Sequence, residues 1–139
     1  MAVTFKDNRI EVETKLKDLA QSTLYEVAGE MTSRVIRNQD KHRKTGQTSE
    51  SWRYVITEDA DNYVAVIGSD FQNAIWEEFG TGEYALHGNG RKGGWVYEDE
   101  EGKWHRTMGK KPRRPFHKAY TALKNKIIKH IQDVFKGEF

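Results

Sequence analysis

Two neighbouring glutamates and five histidines are the residues of this chain whose types suit catalysis or metal binding. Carboxylates and imidazoles together can hold the metal ion of a nuclease, and Glu77, Glu78, His87 and His105 are the set that would have to meet. No HExxH motif or close zinc pair supports such a site. Consecutive helical side chains point about 100° apart, so the two glutamates are not expected to share an ion. We therefore expect no metal site and no catalytic residue, and a metal-dependent nuclease is the weaker alternative.

A glycine-rich segment, IWEEFGTGEYALHGNGRKGGWVY at residues 75–97, contains six of the twelve glycines. A phosphate-binding P-loop needs a strand, then glycines, then Gly-Lys-Ser/Thr opening a helix. Here the glycines follow a predicted helix and lead into a predicted strand, and that triplet does not occur. Because cysteine and a GxSxG motif are also missing, we expect no enzyme activity, no cofactor and no small-molecule substrate. The explanation that remains for the glycines is a long flexible arm at residues 80–94.

A basic run, RTMGKKPRRPFHK at residues 106–118, carries six positive charges and no negative one. From residue 80 to residue 118 there are nine Lys/Arg against five Asp/Glu, a local charge of +4, whereas the whole chain is +2. Such a patch attracts an acidic protein or a nucleic acid. With tryptophans and tyrosines as stacking platforms, it predicts a basic nucleic-acid-binding module. A solvated loop is the alternative interpretation of the same charges.

The composition is that of one folded domain, residues 1–139. The chain is 36% hydrophobic and 32% charged, with four Trp, six Tyr, six Phe and no cysteine. The aromatic content argues against disorder, and the lack of cysteine is compatible with a reducing compartment. No stretch approaches the roughly 20 apolar residues of a membrane span, and the start has no signal-peptide pattern. We expect a soluble, intracellular protein that has no membrane contact.

Apolar residues at helical spacing predict the two long elements of the fold. One stripe predicts an amphipathic helix within residues 1–40. A second stripe, behind a proline placed where helices accept one, predicts an amphipathic helix over residues 115–136. Between them, NAIWEEFG predicts a short helix that ends at Gly80, where glycine suits a left-handed C-cap.

Alternating apolar residues predict two antiparallel hairpins, one within residues 45–70 and one within residues 95–108. In the second hairpin, Trp95 and Trp104 are predicted to meet across the turn. The order of elements predicts an α+β fold: an antiparallel sheet of two hairpins, flanked by the N-terminal and C-terminal helices, with a long flexible glycine-rich loop at residues 80–94.

Four groups of residues, taken in chain order, carry a family resemblance. They are Lys44-Thr45-Gly46 with Ser51; Val66-Ile67-Gly68-Ser69; AIWEEFGTG at residues 74–82; and Gly94-Trp95-Val96-Tyr97, Thr107-Met108-Gly109 and Pro115-Phe116 with Ala119. In this order they resemble the small head–tail connector or tail-completion proteins of long-tailed bacteriophages and prophages, also described as minor capsid or tail components. The resemblance covers most of the chain from Lys44 onward. The basic KKPRR at residues 110–114 departs from the family pattern.

The resemblance implies a structural, non-enzymatic protein that assembles in a ring at the head–tail junction and joins the head connector to the tail tube. The implied partners are other connector and tail proteins and further copies of this chain, with contact to DNA possible but not required. The implied location is the virion, and the host cytoplasm during assembly. In this setting the loop at residues 80–94 is expected to dock on a neighbour, with Trp95, Tyr97 and Trp104 as anchors. Alternatively, Trp95 and Trp104 cap the core of their own domain.

The residues expected to bind partners come from the end of the short helix, the second hairpin and the basic segments. They are Glu78, Gly80, Thr81, Gly82, Arg91, Trp95, Tyr97, Trp104, Arg106, Lys110, Lys111, Arg113 and Arg114. Glu78 lies at the unfavourable end of its own helix dipole, which predicts a cation partner. Arg91, Arg106 or a neighbouring subunit's Arg113 are the candidates, and a solvent-facing carboxylate is the alternative.

Overall fold

The computed structural model of the chain describes residues 6–42, 44–59 and 62–138. In chain order the elements are helix α1 (Arg9–Asp40), the short helix α2 (Gln47–Glu50), strands β1 (Arg53–Asp59) and β2 (Asn62–Gly68), helix α3 (Gln72–Phe79), a 3-10 turn (Gly82–Tyr84), strands β3 (Trp95–Glu98) and β4 (Trp104–Thr107), and helix α4 (Pro115–Glu138).

The predicted α+β fold is confirmed, with a long helix towards each end and two antiparallel hairpins between them. The predicted helix within residues 1–40 is α1, and residues 1–5 lie outside the described residues. The predicted helix over residues 115–136 is α4. Within the described ranges, the hairpins form two separate two-stranded sheets and do not join into one. Helix α2 was not predicted, since four polar residues carry no periodicity.

The hydrophobic core lies between α1 and α4. Met31 and Val35 of α1 are buried against Ala119 and Leu123 of α4. Trp52, Ile67, Phe116 and Ile127 surround this cluster and are partly buried. The rings of Trp52 and Phe116 stack with centroids 6.0 Å apart, which fastens the start of α4 to the chain before β1. The first turn of α4 is therefore fixed by the core, and this turn is where the candidate site begins.

The β1–β2 hairpin packs one face on α1. Tyr54 of β1 makes an edge-to-face contact with Tyr25 of α1, with ring centroids 6.3 Å apart. Gly29 of α1 lies beside this contact, where a Cβ would be at an ordinary van der Waals distance of 3.8 Å from the Tyr54 hydroxyl. Ile67 of β2 reaches the α1–α4 core from the same face. The alternating burial along both strands means that only this face of the hairpin is covered by the domain.

The turn of the β3–β4 hairpin is organised by one carboxylate. Asp99 accepts hydrogen bonds from the backbone N–H of Glu101 at 2.9 Å and of Lys103 at 2.8 Å. It also pairs with His105 Nε2 at 2.7 Å, and the His105 ring stacks on Tyr97. The bond to His105, followed by the bond from Lys103, lowers the pKa of Asp99 below its ordinary value of 3.8.

A carboxylate with a lowered folded-state pKa stabilises the fold above its unfolded pKa, and the stabilisation is lost as the pH falls through the folded value. We therefore expect acidification from about pH 5 to pH 2 to loosen the β3–β4 turn, observed as a change in the amide resonances of Glu101 and Lys103. In D99N this step should be absent at these two amides. An identical titration in D99N would show that another carboxylate is responsible.

Candidate partner-binding surface

Glu78, at the end of α3, caps the N-terminus of α4. Its carboxylate accepts hydrogen bonds from the backbone N–H of Phe116 at 2.9 Å and of His117 at 3.0 Å. The Arg114 guanidinium lies 3.5 Å from the same carboxylate. The first N–H groups of a helix have no partner within it, so a carboxylate there satisfies two of them and complements the helix dipole. Glu78, which precedes Phe116 by 38 residues, thus accepts the hydrogen bonds that an N-cap side chain would accept at the start of its own helix.

Of the two sequence-based interpretations of Glu78, the solvent-facing carboxylate is wrong, whereas a cation partner is present but is a residue that was not among the candidates. Its side chain is 7% exposed, so it is not a solvent-facing carboxylate. Within the chain its cation is Arg114, and neither Arg91 nor Arg106 pairs with it. Arg114 lies next to Glu78 only in the folded chain, where it adopts a left-handed backbone conformation (φ 55°) immediately before Pro115. Periodicity along the chain does not reveal such a turn.

Glu77 is a second buried carboxylate, and it was not among the residues expected to bind partners. It is 3% exposed and forms ion pairs with Lys110 and, at 3.4 Å, with Arg113. Its backbone carbonyl accepts hydrogen bonds from the N–H groups of Arg113 and Arg114. The two glutamates therefore diverge, as the helical geometry predicts, and each neutralises part of the basic run. The signal in the sequence is that the two adjacent carboxylates of this eight-residue helix are matched by four cations at residues 110–114.

The GTG segment after α3 pairs with the segment before α4. The Thr81 N–H donates to the Lys110 carbonyl at 2.9 Å, and the Lys110 N–H donates to the Thr81 hydroxyl at 2.8 Å. One step further on, the Glu83 N–H donates to the Met108 carbonyl at 2.9 Å. These bonds hold the chain on both sides of the glycine-rich loop together.

Glycines allow the two backbones to approach this closely. Gly82 has φ of 61°, and a Cβ there would collide with the Met108 carbonyl oxygen. Gly109, opposite it, would collide with the Thr81 carbonyl oxygen, and Gly90 with the Gly82 carbonyl oxygen. The structure thus assigns these glycines to close packing. The start of the predicted arm at residues 80–94 is folded against residues 108–110, and the flexibility of the remainder stays a prediction.

An aromatic groove of about 620 Å³ opens beside this glycine contact. Trp76 of α3, Trp95 and Tyr97 of β3, and residues 80–82 line it. Arg91 closes one side, with its guanidinium carbon 5.7 Å from the centre of the Trp95 ring. Gly80, Thr81, Gly82, Arg91, Trp95 and Tyr97 of the predicted set all line this groove. Trp76, which we did not predict, joins them because α3 turns it to the side away from the core.

Trp104 and Arg106 lie apart from the groove. In the β3–β4 register Trp104 pairs with Glu98 and Arg106 with Val96, so both belong to the face opposite Trp95 and Tyr97. The predicted meeting of Trp95 and Trp104 is therefore wrong, since Trp95 pairs with Thr107. Trp104 is 67% exposed and does not cap the core.

Most of the basic run is occupied within the chain. Lys110 and Arg113 pair with Glu77, and Arg114 with Glu78. The Lys111 ammonium lies 5.5 Å from the centre of the Tyr84 ring. Three of the four cations at residues 110–114 thus compensate buried carboxylates, which leaves less free charge for phosphate groups than the sequence suggests.

No family model, curated protein or solved structure matches this chain. Among the described residues, no group of three or more His, Asp or Glu side chains is placed to hold a metal ion. The four residues of the nuclease alternative are not brought together: His105 pairs with Asp99, His87 contacts Phe79, and the glutamates pair with basic residues. No helix in the described ranges is long and apolar enough to span a membrane.

Proposed function

We propose that this chain is a structural protein of the head–tail junction of a long-tailed phage or prophage, where it joins a ring between the head connector and the tail. The supporting observation is that the third and fourth groups of residues behind the family resemblance meet in three dimensions. AIWEEFGTG supplies Glu78, Thr81 and Gly82, which contact the TMG segment and the helix begun by Pro115-Phe116. Motifs that form one contact network have a physical reason to occur together and in order.

The aromatic groove is the proposed docking surface for a neighbouring protein of the junction. Tryptophan, tyrosine and arginine are the side chains in which interface energy concentrates. Here Trp76, Tyr97 and Arg91 line the groove next to the close contacts of the glycines. The hydrogen bonds from α4 to Glu78 and the ion pair of Glu77 hold this region together. They do not use the exposed aromatic side chains of the groove. In this account the chain contributes binding and not catalysis.

Binding to purified tails and to DNA-filled heads tests this proposal. We expect labelled protein to bind one or both particles from a phage whose own copy has been deleted, and W76A/Y97A to bind at least about 30-fold more weakly, as the loss of one hot spot would give. W104A is the matched control, because it removes an exposed tryptophan from the opposite face and should bind like the wild type. Equal binding by W76A/Y97A would show that the groove is not the docking surface. Absence of binding by the wild type would contradict the junction role.

A further inference from the structure

The uncovered face of the β1–β2 hairpin is unusually apolar for this charged chain. Val55, Val64 and Val66 are 54%, 47% and 58% exposed, respectively. Val55 and Val66 are direct cross-strand partners, and Val64 pairs with Thr57. The three valines and the threonine methyl group thus form one block at the centre of the face. The opposite face already packs on α1, so the domain itself does not cover this block.

Opposite charges lie at the two ends of the same face. Side chains at odd positions of β1 share the exposed side, which in order carries Arg53, Val55, Thr57 and Asp59. Arg53 is at one end beside Gly68, and Asp59 is at the other end beside Asn62. Arg53 donates to Asp70 at 2.8 Å, and its guanidinium has further donors for a second carboxylate. From one end of β1 to the other, the exposed row is therefore first basic, then apolar and finally acidic.

Such a row is complementary to itself when it is turned end for end. A two-fold axis running across the strands would stack β1 on β1 and β2 on β2 of another copy, in opposite directions. Arg53 would then face Asp59 of the second copy twice, and Val66 would face Val64 twice. Aligned sheets stack face to face about 10 Å apart, so the side chains would meet without rearrangement of the hairpin. A self-complementary patch of this kind is what an isologous dimer requires.

We propose that the valine face (Arg53, Val55, Thr57, Asp59, Val64 and Val66) is the docking site for a second copy of this chain, related by that two-fold axis. The charge arrangement favours this occupant over an unrelated protein, because both end charges find a partner in the copy itself. The face is small, so the dimer is weak and depends on concentration. This contact involves neither the groove nor any particle, so it stands apart from the head–tail role.

The first test is sedimentation equilibrium of the purified chain at concentrations up to about 1 mM, compared with V64T/V66T. Threonine keeps the β-branched shape that strands favour, while its hydroxyl lowers the apolar area. We expect reversible dimerisation of the wild type and a dissociation constant raised at least about tenfold in the variant, with unchanged circular dichroism. A wild-type chain that stays monomeric, or a variant that dimerises equally well, would overturn the proposal and leave the valines as stabilisers of their own hairpin.

The second test separates this geometry from any other dimer. R53D places like charges at both end contacts, and D59R does the same with the opposite sign, so each variant alone should be monomeric. Mixed in equal amounts, they should form a heterodimer, because each end contact would then join an acidic side chain of one variant to a basic side chain of the other. E58R is the control, since Glu58 alternates to the other side of β1 and its variant should dimerise like the wild type. A mixture that stays monomeric would contradict the two-fold arrangement.

Discussion

Replacing Gly82 with alanine is expected to lower the free energy of unfolding by about 3 kcal/mol or more. The backbone at this position has φ of 61°, where a non-glycine residue is disfavoured by roughly 1–2 kcal/mol. The added Cβ would also collide with the Met108 carbonyl oxygen and lie 2.9 Å from the Trp95 ring. Neither neighbour is a free side-chain end, so the paired segments must separate. Urea denaturation followed by circular dichroism measures the change.

Gly88→Ala is the matched control for this prediction. Gly88 has a similar φ, 69°, but a Cβ there would meet nothing within 4 Å. Gly88→Ala should therefore lower the free energy of unfolding only by the cost of the left-handed backbone, about 1–2 kcal/mol. The difference between the two variants measures the close approach of the GTG and TMG backbones. Equal losses of unfolding free energy in the two variants would show that the two backbones are not closely packed at Gly82. The close-packing role given to the glycines would then be wrong.

Glu78→Ala is the second change with a large expected effect, a loss of about 3 kcal/mol in the free energy of unfolding. The substitution leaves the N–H groups of Phe116 and His117 without their acceptor and removes the partner of the Arg114 guanidinium. The lost contacts lie where α4 joins the core, so the whole domain should unfold at lower denaturant concentration. The same denaturation experiment provides the value.

Glu78→Gln separates the two parts of this effect. An amide oxygen still accepts a hydrogen bond from the helix N-terminus, but it carries no charge for Arg114. Its loss should therefore be intermediate. Glu13→Ala, at an exposed position of α1, should change stability by no more than about 0.5 kcal/mol. If Glu78→Ala were as mild as Glu13→Ala, the carboxylate would not be the cap of α4.

The helices and hairpins could be predicted from the sequence because each is encoded by a local period. The stripe behind Pro115 repeats every three to four residues, and α4 begins at Pro115 as predicted. Whether two hairpins join into one sheet depends on edge-to-edge contacts between segments far apart in the chain. That information is not local, and the two sheets are in fact separate.

The candidate site could be predicted in part, and the successes and failures have different causes. Trp95 and Tyr97, which line the groove, could be selected because aromatic side chains next to glycines are visible in the sequence, and their part in binding stays a prediction. The role of Glu78 was missed because its partners lie 36–39 residues away, beyond a turn at Arg114 that no propensity indicates. The basic run was interpreted as a surface patch because its pairing with two buried carboxylates exists only in the folded chain.

Reconstitution of infectivity tests most directly the proposal that this chain joins heads to tails. DNA-filled heads and complete tails would be prepared from a phage that lacks this gene, mixed with the purified protein and counted as infectious particles. The account predicts that wild-type protein and W104A restore infectivity, whereas W76A/Y97A restores little. Heads and tails that join equally well without any added protein would contradict the account.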